Sequence, residues 1–219
     1  MVIKYLRTFL LYILAICLLY GCECEPDEFG EELTIDIPIN IGGRSNIFQV
    51  GDTLWLDSRF NKYVNVENSP NDIELQNFDF FSSLFISDIS GENLVRYQTG
   101  NILIELGDVS LSPSGGYDYF FTETEEEYNI RFGVVLNSVG HFTATSFTDS
   151  NRQRGYDHPA LYTCKNNRRM NVFINRINRF STPENFEDLM AWNRVDIEGF
   201  TQTYEGYRRS AMFAFAVVE

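Results

Sequence analysis

The chain has 219 residues, of which 44% are hydrophobic, and it carries a formal net charge of −14 at pH 7. That hydrophobic content is enough for a packed core and excludes a disordered chain. The excess of acidic residues excludes a nucleic-acid partner, because binding to phosphates needs clustered lysines and arginines.

The first 22 residues have the pattern of an export signal. Lys4 and Arg7 precede an uninterrupted apolar run over residues 9–20, and Gly21 and Cys22 follow it. The run is short for a helix that spans a bilayer, which needs about 20 residues. A basic start, a short apolar stretch and a small residue before the cut are typical of a signal that is removed after export. We therefore predict that residues 1–21 are a signal peptide.

Residues 19–22, with the sequence Leu-Tyr-Gly-Cys, resemble the lipobox of bacterial lipoproteins that signal peptidase II cleaves. Leu19 and Gly21 match the third and first positions before the cut, and Cys22 matches the lipid acceptor. The resemblance implies diacylglycerol and an N-acyl chain on Cys22, with the membrane as partner through that lipid. Several acyl chains hold a protein firmly, at about 0.8 kcal/mol per buried CH₂. The implied location is the outer membrane, on its periplasmic or its cell-surface face.

Residues 22–32 are predicted to be a flexible tether. Six acidic residues and no basic residue lie between Glu23 and Glu32, with Pro26 and Gly30 among them. Blocks of like charge are usually solvated and disordered, which suits a spacer. The acidic stretch also resembles the surface-export signal of Bacteroidota-type lipoproteins, which implies an address. Both interpretations stay open.

Residues 33–219 are predicted to form a single β-rich domain, because period-two alternation dominates them. Residues 33–41 alternate apolar and polar side chains, and Pro38 predicts a sheet edge since it cannot donate to a ladder. Residues 128–136 and 142–144 around a turn at 138–140 predict a hairpin. Residues 102–106 predict a strand with Ile102, Ile104 and Leu106 on one face. Residues 212–218 are apolar on both faces, as in a central strand.

One helix is predicted near the C-terminus, with Thr182 as its cap, Pro183 at its first position and Trp192 near its end. Elsewhere, short strands alternate with glycine, proline and asparagine. This pattern favours a mainly β fold, a β-sandwich that is immunoglobulin-like or related, with one short helix.

Two groups of residues are candidate ligand sites. The aromatic set consists of four residues that alternate away from the apolar positions of their strands and suit sugar stacking: Trp55, Tyr63, Tyr117 and Tyr119. The alternative is that a second sheet or the helix covers them. The basic set lies in an arginine-rich stretch within residues 151–180: Arg152, Arg154, Arg168 and Arg169. Guanidinium groups bind phosphate or carboxylate with two bonds, which suits a lipid head group or an acidic glycan. The alternative is pairing with acids elsewhere in the chain.

No catalytic residue, metal or cofactor is predicted. The histidines are His141 and His158, without a G-x-S-x-G motif, and residues 123–127 are a run of acids more typical of a loop than of a carboxylate pair across a cleft. Residues 149–155 resemble the start of a calcium loop but lack an oxygen ligand and a glycine where both are needed. Cys24 and Cys164 either form a disulfide or leave Cys164 as a buried thiol.

The sequence thus predicts a lipid-anchored protein of the cell envelope with a binding or structural role. Its predicted partner is a glycan, an envelope polymer or another envelope protein. Two alternatives stay open: a surface-displayed hydrolase, and a structural component of an envelope or fimbrial assembly. The last predicts an exposed sheet edge that accepts or donates a strand, with residues 33–41 as the candidate.

Overall fold

The computed structural model describes residues 32–64, 73–75, 80–91, 95–97, 101–147, 164–165, 168–169, 171–193 and 203–219. The first strands in chain order are β1 (Glu32–Ile41), β2 (Ile47–Gln49), β3 (Thr53–Asn61), β4 (Tyr63–Val64), β5 (Ile73–Glu74), β6 (Phe81–Asp88), β7 (Val95–Arg96), β8 (Ile102–Leu106) and β9 (Asp108–Leu111). The others are β10 (Tyr117–Phe120), β11 (Thr122–Glu123), β12 (Glu127–Val135), β13 (Gly140–Phe147), β14 (Cys164–Lys165), β15 (Arg168–Arg169), β16 (Asn171–Asn178) and β17 (Met212–Val218).

Two large sheets make up the described fold. The first has the order β11-β12-β3-β1-β16, with β8 also paired to β12. The second has the order β2-β17-β13-β6-β10-β9, with β7 also paired to β6. The ladders are antiparallel except β1 with β16 and β17 with β2. Two short pairs, β14 with β15 and β4 with β5, complete the described strands. The predicted mainly β sandwich is confirmed.

The core lies between the two sheets and follows from alternation along their strands. In β3, every second side chain from Leu54 to Phe60 is buried and the intervening ones are more exposed. The inward residues of the first sheet include Ile37, Ile39, Ile41, Leu54, Leu56, Phe60, Tyr128, Ile130, Phe132 and Val134. Those of the second sheet include Leu84, Ile86, Tyr117, Tyr119, Phe142, Ala144, Phe213, Phe215 and Val217.

Helix α1 (Pro183–Trp192) confirms the predicted helix and its cap. The Thr182 side-chain oxygen accepts a hydrogen bond from the Asn185 backbone N–H at 3.2 Å, which satisfies one of the free donors of the first turn. A second helix, α2 (Tyr204–Arg209), starts in the same way with Thr203 as its cap. It was not predicted, because six residues are too few for a 3.6-residue period to stand out.

The helices cover the outer face of the second sheet at β17. Met212 and Ala214 pack with Leu189 of α1 and Tyr207 of α2, while Phe213 faces the core. The predicted central strand is therefore confirmed. Hydrogen bonds join the backbone of β17 to side chains of both helices. The Ala214 N–H donates to the Asn185 side-chain oxygen at 3.0 Å and to the Tyr207 hydroxyl at 2.9 Å.

The predicted hairpin of β12 and β13 is wrong. β12 belongs to the first sheet and β13 to the second, so the link at 136–139 crosses between sheets. Leu136 is held at the end of its strand by Gly51 and Asp52, through bonds of 2.7 Å and 2.8 Å. Alternation is the same for neighbouring strands of one sheet and for facing strands of two, which is why the pattern did not separate them.

The prediction of an exposed edge at residues 33–41 is contradicted at Asn40 and Ile41, which pair with a second strand. β1 lies between β16, with which it pairs in parallel, and β3, with which it pairs at Asn40 and Ile41. Pro38 fits there because the ladder with β3 does not extend to it. The Ser58 hydroxyl donates to the Pro38 carbonyl at 2.6 Å and takes the place of a backbone donor.

Candidate functional site

The four residues of the aromatic set do not share an exposed face. Tyr117 and Tyr119 are 1% and 0% exposed and belong to the core, because β10 turns those positions inward. Tyr63 is 59% exposed, and Trp55 is half-buried on the outer face of the first sheet. This corrects the expectation of one platform. Tyr117 and Tyr119 have no ring surface to offer to a ligand.

Trp55 lies in a polar network on the outer face of the first sheet. The Arg131 guanidinium carbon is 4.7 Å from the centre of a Trp55 ring, and the same group forms ion pairs with Glu105 and, at 3.8 Å, with Asp57. Gly133 lies beside the indole, since a Cβ there would be 3.1 Å from the ring. Arg131 therefore occupies ring surface that a sugar would need.

Two of the four acids in residues 123–127 form ion pairs. Glu123 lies 2.6 Å from the ammonium group of Lys62, whose side chain is largely buried, and Glu127 lies 2.6 Å from Arg59. Both acids neutralise cations at the end of β3. The hydroxyl of Tyr63 forms a hydrogen bond with Glu74, and that bond raises the pKa of Tyr63.

The basic set is largely outside the described residues. Arg152 and Arg154 lie there, as do His158, the calcium-like segment, Cys22 and Cys24. The backbone of Arg168 and Arg169 forms β15, which pairs with β14 at Cys164 and Lys165. An anion site formed by these arginines stays a prediction.

His141 is described and has a packing contact. Its ring stacks on Trp192 with the centres 4.9 Å apart and an angle of 21° between the planes. Its backbone N–H donates to the Ser90 hydroxyl at 2.9 Å. Within the described ranges, no group of three or more histidines, cysteines or acids is arranged to hold a metal ion. Neither α1 nor α2 has the length and hydropathy of a membrane-crossing helix.

The largest departure from expectation is at one margin of the sandwich, where β8 and β9 follow each other. We call residues 102–111 the β8–β9 edge. Four large apolar side chains along it are exposed: Leu103 by 46%, Ile104 by 50%, Leu106 by 41% and Leu111 by 59%. Ile104 and Leu106, two of the three residues predicted to share one face of this strand, are on the surface. A run of exposed apolar side chains on a strand edge is typical of an interaction site.

Gly107 lets the β8–β9 edge pass from one sheet to the other. Its φ is +91°, and a Cβ at this position would lie 2.2 Å from the Ile130 side chain and 2.8 Å from the Phe120 carbonyl oxygen. The chain bends there, so β8 borders the first sheet and β9 borders the second. The exposed residues thus form one continuous margin along both layers.

The sequence contains a signal for this edge that alternation alone does not use. Leu103 is apolar between Ile102 and Ile104, so the strand has apolar side chains on both faces without the length or the small residues of β17. A strand that is apolar on both faces needs cover on both.

Comparison with protein-family models finds no match for this chain, and comparison with curated protein sequences finds none. Among solved structures, the crystal structure of the CupB6 tip adhesin from Pseudomonas aeruginosa aligns with 70% of this chain and 43% of its own, at 12% identity and a TM-score of 0.18. The chain thus spans less than half the length of that adhesin. At this TM-score the alignment establishes neither a shared fold nor a shared activity.

Proposed function

We propose that this protein is a lipid-anchored β-sandwich of the cell envelope that binds a partner protein through the β8–β9 edge. The observation that carries the binding role is the exposure of Leu103, Ile104, Leu106 and Leu111 within ten residues along one margin of the sandwich. Water disfavours such a margin, and burying it against another protein recovers about 25 cal/mol for each Å² of apolar surface.

The envelope location rests on the sequence. The lipobox-like residues 19–22 supply Cys22 as lipid acceptor, and the acidic residues 23–32 supply a spacer or an export address. An anchored domain samples partners in the same membrane, so a small contact surface is enough for association at high local concentration.

A protein partner fits the described surfaces better than a glycan does. Sugar stacking needs a free aromatic face. Of the four candidates, Tyr117 and Tyr119 are buried and Arg131 lies over Trp55, so Tyr63 alone keeps a largely exposed ring. Of the acids that the hydrolase alternative would use in residues 123–127, Glu123 and Glu127 are ion-paired to Lys62 and Arg59.

The anchor is tested by metabolic labelling with an alkyne fatty acid, followed by fractionation and protease shaving of intact cells. We expect wild-type protein to be labelled and to stay with the membrane, and a Cys22→Ala variant to lose both properties. Membrane retention of the unlabelled variant contradicts the anchor. Protease shaving then shows on which face of the membrane the domain lies: cleavage in intact cells that spare a periplasmic control protein indicates the cell surface.

The contact surface is tested by photo-crosslinking in intact cells with p-benzoylphenylalanine at position 103. Met190, which is 56% exposed on α1, is the matched control position. We expect a discrete adduct from position 103 that is absent from position 190 and disappears when Ile104→Lys is combined with the probe. Equal adducts from both positions contradict a binding role for this edge.

A further inference from the structure

The backbone of β8 has a defined set of hydrogen-bonding groups that point away from the sandwich. The Val135 N–H donates to the Asn101 carbonyl at 3.1 Å, and β8 continues in the same register against β12. Opposite residues in an antiparallel ladder alternate between hydrogen-bonded and non-bonded pairs. Leu103 is therefore bonded to Gly133, while Ile102 and Ile104 direct their N–H and C=O groups outward.

The outward groups lie on a strand that has one neighbour in the described part of the chain. β8 pairs with β12 and with no other described strand. A shift of register between Arg131 and Phe132 ends the regular ladder after Ile104. The strip that a further strand can extend is thus residues 102–104, which presents two outward donor and acceptor pairs.

The side chains beside this strip favour an apolar occupant. Leu103 is exposed towards the outer face of the first sheet, since it pairs with Gly133, and Ile104 is half exposed at the margin. An extended segment alongside β8 places its own alternating side chains against these two residues on either face. Main-chain hydrogen bonds then provide affinity and the apolar contacts provide selectivity.

Charge decides between a second copy and another protein. The chain has a net charge of −14, so two copies repel each other. Asp108 lies two residues beyond the end of β8, as the first residue of β9; it is exposed and has no ion pair among the described residues. Glu105 is already paired with Arg131. A basic side chain on the incoming segment therefore has a free carboxylate to meet at the end of β8.

We propose that β8 accepts an extended segment of a partner protein as an added strand, bonded to the backbone of Ile102 and Ile104. The segment has apolar residues at alternate positions and a lysine or arginine that faces Asp108. This assignment rests on the proposed binding role of the β8–β9 edge and specifies its partner.

The first test uses the folded protein and a nine-residue peptide in which valine alternates with lysine and threonine. Two control peptides replace lysine by glutamate, or carry N-methyl groups on the amides that would pair. Fluorescence anisotropy at low salt is expected to show binding of the lysine peptide, weakening of about tenfold with glutamate, and loss with N-methylation. Equal binding of the N-methylated peptide overturns strand addition and leaves side-chain docking at the same edge.

The second test locates the added strand by amide hydrogen exchange followed with NMR. We expect the peptide to slow exchange at Ile102 and Ile104 and to leave Leu103 unchanged, because Leu103 is already bonded to Gly133. Ile104→Lys is expected to abolish peptide binding, and Met190→Lys to preserve it. Leu103→Lys repeats the test if Ile104→Lys lowers the unfolding midpoint.

The outcomes separate this inference from the proposed function. If position 103 crosslinks in cells but the lysine peptide does not bind, the added strand with a basic residue is overturned, and the proposal of a partner protein at this edge stands. If neither the crosslink nor the peptide binding is seen, the partner protein and the added strand are both overturned. Sedimentation that shows a dimer, dissociated by Ile104→Lys, assigns the edge to a second copy and overturns the inference.

Discussion

β17 and β8 share a sequence pattern and differ in what covers them. β17 has the sequence Met-Phe-Ala-Phe-Ala-Val-Val and β8 the sequence Ile-Leu-Ile-Glu-Leu, so both have apolar residues at consecutive positions. In β17, Phe213 is buried between the sheets and Ala214 beneath the helices. In β8, Leu103 and Ile104 are each about half exposed. The first strand has two layers of cover within the described chain, and the second has one.

This difference indicates why β8 has more apolar side chains than its described neighbours can cover. A strand that is apolar on both faces needs two packing partners, and in β17 the partners are the facing sheet and α1 with α2. Where the described chain supplies cover on one side only, the other side is available to a different molecule. Mutations in β17 are therefore expected to lower stability, whereas mutations in β8 are expected to weaken binding and to leave stability nearly unchanged.

The largest expected effect is the loss of a core ring from β17. Phe215 is fully buried and lies within 5.6 Å, between ring centres, of both Phe48 and Phe142. Phe215→Ala is expected to lower the free energy of unfolding by about 3–5 kcal/mol, because it removes apolar contacts and leaves a cavity. Leu103→Ala on β8 is expected to change it by less than about 0.5 kcal/mol. Urea unfolding of the two variants measures both. A comparable loss from Leu103→Ala would show that β8 is covered in the free protein.

The bend between β8 and β9 is the next largest effect. Gly107→Ala combines an unfavourable positive φ with a Cβ 2.2 Å from Ile130, and is expected to cost about 2–4 kcal/mol. Gly51→Ala is the matched control, since Gly51 has a φ of +95° but no atom within 4 Å of a Cβ. It carries the backbone cost alone, about 1–2 kcal/mol. Equal unfolding midpoints for the two variants would mean that the close approach at Gly107 is absent.

The covered face of the second sheet has a pH dependence that arises from Tyr207. Burial raises the pKa of the Tyr207 hydroxyl above its ordinary value of about 10, although the Ala214 N–H bonded to it acts in the opposite direction. The folded chain therefore keeps this proton when the unfolded chain loses it. Stability from Tyr207 is complete below about pH 10 and falls above it, by up to about 1.4 kcal/mol per pH unit.

Tyr207→Phe is the control for this dependence. We expect its free energy of unfolding, measured in urea between about pH 9 and pH 11, to fall less steeply than that of the wild type. The other tyrosines contribute equally to both proteins and cancel. Parallel curves would show that the Tyr207 hydroxyl is accessible to water.

Local signals in the sequence predicted local structure well. Thr182 and Pro183 define the start of α1 through a side-chain hydrogen bond and a fixed φ, both of which are properties of adjacent residues. The consecutive apolar positions of β17 predicted a central strand with cover on both faces. These features depend on the chain within a few residues of each position.

Features that depend on which strands meet were harder to predict. Alternation in β12 and β13 did not show that they face each other across the core, and Pro38 did not show that β1 lies between two strands. For Tyr117 and Tyr119 the sequence left both exposure and cover by a second sheet open. Their inward orientation depends on β6 and β9, which pair with β10 on either side. The exposure of Leu103 likewise depends on β8 having no second neighbour among the described strands, and the consecutive apolar residues of β8 indicate only that the strand needs cover.

The smallest expected effect belongs to the outer face of the first sheet, where ion pairs take the place of packing. Arg131 contacts Glu105, Asp57 and the Trp55 ring, and its side chain is 44% exposed. Arg131→Met keeps the apolar stem and is expected to cost about 0.5–1 kcal/mol at low salt. In about 1 M NaCl, where the Debye length falls to roughly 3 Å, the ion-pair part of this cost is expected to vanish. Glu105→Gln and the double variant complete a cycle that isolates the Arg131–Glu105 pair. A cost that persists in salt, with no coupling to Glu105, assigns the role of Arg131 to the indole, and Trp55 is then held by its neighbour and is not free for a ligand.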